Sequence, residues 1–176
     1  MHIIAAIGVL IVCILFTGVL LSFMICNKRK NSFQAFELSV DYNKKPDKYF
    51  MDAEFLRLSH KVFIRDFLIP EHLENSIVKL RLALVPVCKK NIEKTIYWAK
   101  KNGFRPTTKF ESLVFVSTNK DEQTGKKIIC PTIHEYNGDK FFIVFNSDSN
   151  KQRELNTYST RSFKAEQYDY VLMAED

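Results

Sequence analysis

Two side chains in this sequence belong to the types that nucleophilic catalysis uses and lie close along the chain, Cys130 and His134. A thiol becomes a nucleophile when an imidazole within hydrogen-bond reach takes its proton. On one extended strand residues i and i+4 share a face, yet they stand about 13 Å apart at ~3.3 Å per residue. Pro131 follows Cys130 directly and confines that stretch to a sheet edge or a bulge. The pair therefore reads as structural, with Cys130 a buried thiol, and no catalytic residue is assigned. His60 and His72 have no second ligand at i+4, and Cys13, Cys26, Cys88 and Cys130 form no C-x-x-C pair. No metal centre follows from them. A glycine-rich phosphate loop is missing as well, so no cofactor is expected.

The run Lys140-Phe141-Phe142-Ile143-Val144-Phe145 raises nucleic-acid stacking, because aromatics between basic residues can hold bases. It lacks the glycines of an RNA-recognition strand, and helices are expected before the sheet. Its aromatics read as core, and nucleic acid is not an expected partner.

Charge has a sharper message. Residues 27–101 carry 16 basic and 9 acidic side chains, a net of +7, whereas residues 102–176 carry 10 and 11, a net of −1. The first 26 residues hold none of either sign. From Ile3 to Cys26 the 24 positions are apolar or uncharged, which as a helix spans about 36 Å at ~1.5 Å per residue, enough for a hydrocarbon core of ~30 Å. A cleaved leader would want a basic start and a small-x-small site, and neither is there. Residues 1–26 are thus expected to be a transmembrane anchor and 27–33 a basic juxtamembrane segment. Lys28, Arg29 and Lys30 are the candidate contacts to lipid head groups. Basic flanks resist translocation, so residues 34–176 are expected on the cytoplasmic side of a single-pass protein, with the lipid bilayer as one partner.

The elements behind these residues follow from periodicity. Gln34 to Tyr42 alternates, with Phe36, Leu38, Val40 and Tyr42 on one face, and predicts a half-buried strand. Three helices are expected next: Asp52 to about Leu68; Pro70 to before Pro86, with Leu73, Ile77, Leu80 and Leu84 on one stripe; and Lys89 to Asn102, closed by Asn102-Gly103. Past Pro106 the period becomes two and predicts strands at Lys109–Ser117, Lys126–Tyr136, Lys140–Asn146, Arg153–Thr160 and Tyr168–Met173. Asn137-Gly138 marks a hairpin. An initial strand, about three helices and an antiparallel meander of about five strands make one α+β domain over 34–176.

No residue pattern here specifies a reaction. The leading expectation is a membrane-tethered, non-catalytic binding or accessory module that recruits a partner protein at the cytoplasmic membrane surface. The alternative is a membrane-associated enzyme acting on a lipid or nucleotide through residues scattered along the chain. A deep pocket holding His, Asp or Cys side chains favours the enzyme; an exposed apolar surface or a free sheet edge favours the binder.

Overall fold

Alternation does set the first element, β1 (Gln34–Asp41), whose Leu38 and Val40 turn into the core. The computed structural model describes residues 33–88, 91–148, 150–166 and 169–175, with Gln34–Asp176 packing as a unit of its own. The expected anchor and juxtamembrane segment, with Lys28, Arg29 and Lys30, lie outside the described residues. Among the described residues no helix is long and apolar enough to cross a membrane.

In chain order the described residues form β1, α1 (Pro46–Ala53), β2 (Arg57–Leu58), β3 (Ile77–Pro86), α2 (Ile92–Lys101), β4 (Phe104–Pro106), α3 (Lys109–Thr118), β5 (Lys127–Tyr136), β6 (Asp139–Ser147), β7 (Arg153–Ser159) and β8 (Asp169–Glu175). Three short 3-10 turns join them at Ile64–Asp66, Glu71–Leu73 and Asp121–Gln123. The class is α+β, with three α-helices and eight strands among the described residues. Across the sheet the order is β1-β3-β8-β5-β6-β7-β2, and β4 pairs with β8 beside that path.

The sheet is mixed, which corrects the expected antiparallel meander. Strands β5, β6 and β7 do form one, and Asn137 and Gly138 turn its first hairpin with φ of 50° and 80°. But β8 runs parallel to β5, and β2 parallel to β7. Val171, Leu172, Met173 and Ala174 are all buried, so β8 is apolar on both faces and belongs in the middle of the sheet.

Two expected helices do not form, and one expected strand is a helix. The stretch from Asp52 to Leu68 holds only the end of α1. Glu54 turns left-handed (φ 53°), and the chain then runs extended so that Phe55 and Phe67 both reach Phe50, at ring separations of 6.1 and 4.9 Å. The stretch from Pro70 to Pro86 becomes a 3-10 turn and β3, because Leu82–Val85 are buried on both faces of a central strand. Its helical spacing was coincidental. Residues Lys109–Ser117 lie in α3, started by a capping box in which Thr108 accepts from the Glu111 N–H and Glu111 from the Thr108 N–H.

Successive strand residues alternate between two cores. On one face Leu84, Ile128, Ile143, Phe145 and Leu172 pack with α3 and the aromatic rings around α1. On the other, α2 lays Ile92, Thr95 and Ala99 toward β3, β4 and β8, which bury Ala83, Val85 and Met173. Helix α3 is buried from Phe110 to Ser117 and forms the centre of the first core.

Candidate functional site

Cys130 and His134 flank a bulge in β5. Cys130 faces Ile143 and His134 faces Phe141, so three residues of β5, Pro131 to Ile133, oppose the single Phe142 of β6. The proline cannot donate to the ladder, and the sheet accommodates it by bulging. Below the bulge lies a sealed polar seam. Thr132 Oγ1 donates to Thr107 O at 2.7 Å, Thr107 Oγ1 donates to Leu172 O at 2.9 Å, and Ser112 Oγ lies 2.9 Å from Thr107 Oγ1.

This seam does not pair the thiol with the imidazole. Cys130 is fully buried and contacts Thr132 O at 3.8 Å; burial pushes its thiol pKa up, against opposing contributions from Ser112, Thr132 and Lys109. Both ring nitrogens of His134 are engaged elsewhere. Nε2 donates to Lys61 O at 2.7 Å, since a carbonyl can only accept, and Nδ1 lies 3.3 Å from the Lys109 ammonium. The imidazole thus clips residue 61 to the sheet, a connection of 73 positions that sequence spacing does not reveal.

Two further buried charges are architectural. Glu111 Oε1 accepts from Arg105 Nη2 at 2.8 Å and from Tyr42 OH at 3.2 Å, while Oε2 accepts from Arg105 Nη1 at 2.9 Å. Burial would raise the carboxyl pKa, but the bonds from Arg105 and Thr108 outweigh it and hold it below the usual range. Burial and the neighbouring Glu111 push Tyr42 upward. Arg153, at the start of β7, sends Nη1 to Ala53 O and Nη2 to Val116 O and to Gln123 Oε1, the last at 2.7 Å. It thereby meets carbonyls at the C-terminal ends of α1 and α3. Each helix end carries roughly half a negative charge, so two of them together offset about one cation.

The other side of the bulge is open. Between α2 and the β5–β6 hairpin runs a groove of about 430 Å³, lined by Ile96, Tyr97, Pro131, Ile133 and Phe142, with Lys100 and Lys140 among its polar residues. Tyr97 and Ile133 are exposed, and Phe142 is buried. Phe142 points to this face because its neighbours Phe141 and Ile143 point to the other. Lys140 pairs with Glu135 at 3.7 Å with both side chains largely in water, a weak and screened contact. Glu93 and Thr160 complete its polar rim. It can bury apolar side chains of another molecule inside a rim of mixed charge.

Large apolar side chains are also exposed along the chain from α1 past β2, at Met51, Leu56, Leu58, Phe63, Ile64 and Leu68. The groove was not legible as a site. Tyr97, Ile133 and Phe142 sit on three elements, and only Pro131 signalled the bulge that brings them together. His60 and His72 bring no ligand set with them: among the described residues no group of three or more His, Cys, Asp or Glu side chains could hold a metal ion. A comparison with family models, with curated proteins and with solved structures found no match.

Proposed function

We propose that this chain is a membrane-tethered, non-catalytic binding module that holds a partner protein at the cytoplasmic membrane surface, and that the groove between α2 and the β5 bulge is the partner site. One observation carries the reading: the exposed Tyr97 and Ile133 line one open groove with the buried Phe142. An exposed aromatic in an apolar groove is the kind of anchor point on which protein interfaces concentrate their energy. The tether is supported by the uncharged run Ile3–Cys26, and its orientation by Lys28-Arg29-Lys30.

A photo-crosslinking amino acid in place of Tyr97, in the full-length chain in its native membrane, tests this. A discrete protein adduct is expected that is lost when Ile133→Asp is added and is not formed from the same probe at Lys79, on β3. The same adducts from both positions, or adducts to lipid alone, would sink the proposal.

A further inference from the structure

A sheet whose outermost strand is long and unguarded carries a row of unpaired N–H and C=O groups, ready to bond another strand. The two ends of this sheet differ in that respect. One ends on β2, which is two residues long. The other ends on β1, eight residues that pair with β3 in one unbroken register, with no bulge, no proline and no lysine. Among the described residues nothing pairs with the outer side of β1.

The ladder fixes which groups point outward. The Tyr42 N–H donates to Ser76 O at 2.9 Å, one step past the Asp41–Ile77 pair. In an antiparallel pair the residues that exchange bonds alternate with those that do not. Tyr42, Val40, Leu38 and Phe36 therefore turn both backbone groups to β3, and Asp41, Ser39, Glu37 and Ala35 turn theirs outward. The Asp41 carbonyl agrees, since it accepts from the Tyr49 hydroxyl at 3.3 Å and from the Lys44 N–H at 3.2 Å, both outside the ladder. Ala35, Glu37 and Ser39 are exposed.

The sequence of the strand identifies the occupant. Two copies of β1 can pair antiparallel about a two-fold axis, provided that residues of the same face meet. Two such registers overlap nearly the whole strand. Centred on Glu37, the two Glu37 carboxylates oppose each other across the axis, which is unfavourable. Centred on Leu38, Glu37 meets Ser39, Ala35 meets Asp41 and Phe36 meets Val40. No like charges then face one another, and apolar residues meet on the core side. Glu37 and Ser39 both bond outward, so they exchange N–H and C=O groups as an antiparallel ladder requires. Phe36 is only partly buried, with its ring edge-on to Phe115 at 5.1 Å, and gains cover in this register.

We propose that β1 is a self-association edge: a second copy of this chain pairs with it antiparallel, centred on Leu38, and continues one sheet through both molecules. The α2 groove takes no part, because β3 and β8 stand between β1 and the strands that line it. Each copy in the dimer keeps its own groove.

Sedimentation equilibrium of the full-length chain in density-matched detergent micelles tests this. A reversible dimer is expected. Ser39→Pro removes an N–H that bonds nothing within β1 and β3, so the chain should keep its near-ultraviolet circular dichroism and lose the dimer. Ser39→Glu sets a carboxylate against Glu37 of the second copy at two symmetric places, and should weaken the dimer roughly fivefold or more. Adding Glu37→Lys to Ser39→Glu puts opposite charges at the same places and should restore dimerisation. The charge exchange decides the matter whether or not the proline is tolerated. A parent that stays monomeric overturns the proposal. A dimer that Ser39→Glu leaves intact is joined elsewhere, and overturns it too. Failure of Glu37→Lys to rescue Ser39→Glu means another register or another partner, and the proposal fails.

Discussion

Replacing Arg153 by Met keeps the length and apolar stem of the side chain and removes only its guanidinium. Three acceptors then lose a charged donor: Ala53 O, Val116 O and Gln123 Oε1. Val116 O keeps the Gln123 amide at 2.6 Å. Ala53 O and Gln123 Oε1 do not, and a buried acceptor left unpaired costs about 1–3 kcal/mol each. Relief from burying a cation offsets part of this, since desolvation depresses the pKa of Arg153 and Nε already lacks a partner. The net expected loss is about 3 kcal/mol, close to 10 °C in Tm at roughly 3–4 °C per kcal/mol for a domain of this size. Thermal unfolding followed by near-ultraviolet circular dichroism of the full-length chain in detergent reads it. Arg153→Lys should recover less than half, because one ammonium cannot reproduce a fork that serves two helix ends. Adding Gln123→Leu to Arg153→Met should cost little more, as the two share one network. An Arg153→Met protein within about 0.5 kcal/mol of the parent would show that the convergence of α1 and α3 on this guanidinium contributes nothing to stability.

Glu111 has a folded pKa below its ordinary 4.5, so its contribution is complete above that pH and is lost as pH falls through the folded value. Glu111→Gln should flatten the acid limb of Tm against pH, and an unchanged acid limb would contradict this. Tyr42 and Tyr49 are both raised above their ordinary 10.0, so stability should decline as pH rises beyond 10, and Tyr42→Phe should make that decline shallower. In the folded chain iodoacetamide should modify the partly exposed Cys88 and spare Cys130, while Cys130→Ala costs about 1 kcal/mol; rapid labelling of Cys130 would reopen the case for a thiol enzyme. A reporter fused after Asp176 should be active only in a form that works in the cytoplasm, and activity solely in an exported form would reverse the proposed orientation.

What could be read from the sequence depended on how many sides of an element are covered. Strand β1 and helix α2 each bury one face, so their periods of two and 3.6 stand out, and the Asn137-Gly138 turn declares itself by chemistry alone. Strand β3 and helix α3 are covered on both sides. Leu82–Val85 and Leu113–Val116 are continuous apolar runs in which no period survives, and a short run of that kind fits helix or strand equally. The capping box of Thr108 and Glu111 was the one local signal that could have settled α3. The groove was less legible still, since Tyr97 and Ile133 are unremarkable until Pro131 bulges β5 toward α2.

That ambiguity in α3 also bears on how the chain is made. Phe110 to Val116 is the most enclosed segment of the fold, yet its Phe and Val residues favour extended conformations. Its cover includes β5, β6 and β8, which follow it in the chain, so as synthesis passes Thr118 the segment emerges before most of its shelter exists. Only Lys109 and Glu111 supply charge to restrain it from pairing with other exposed strands. On the proposed membrane tether, neighbouring nascent copies would be spread across a surface during that interval, and attachment would then protect folding as well as place the finished domain.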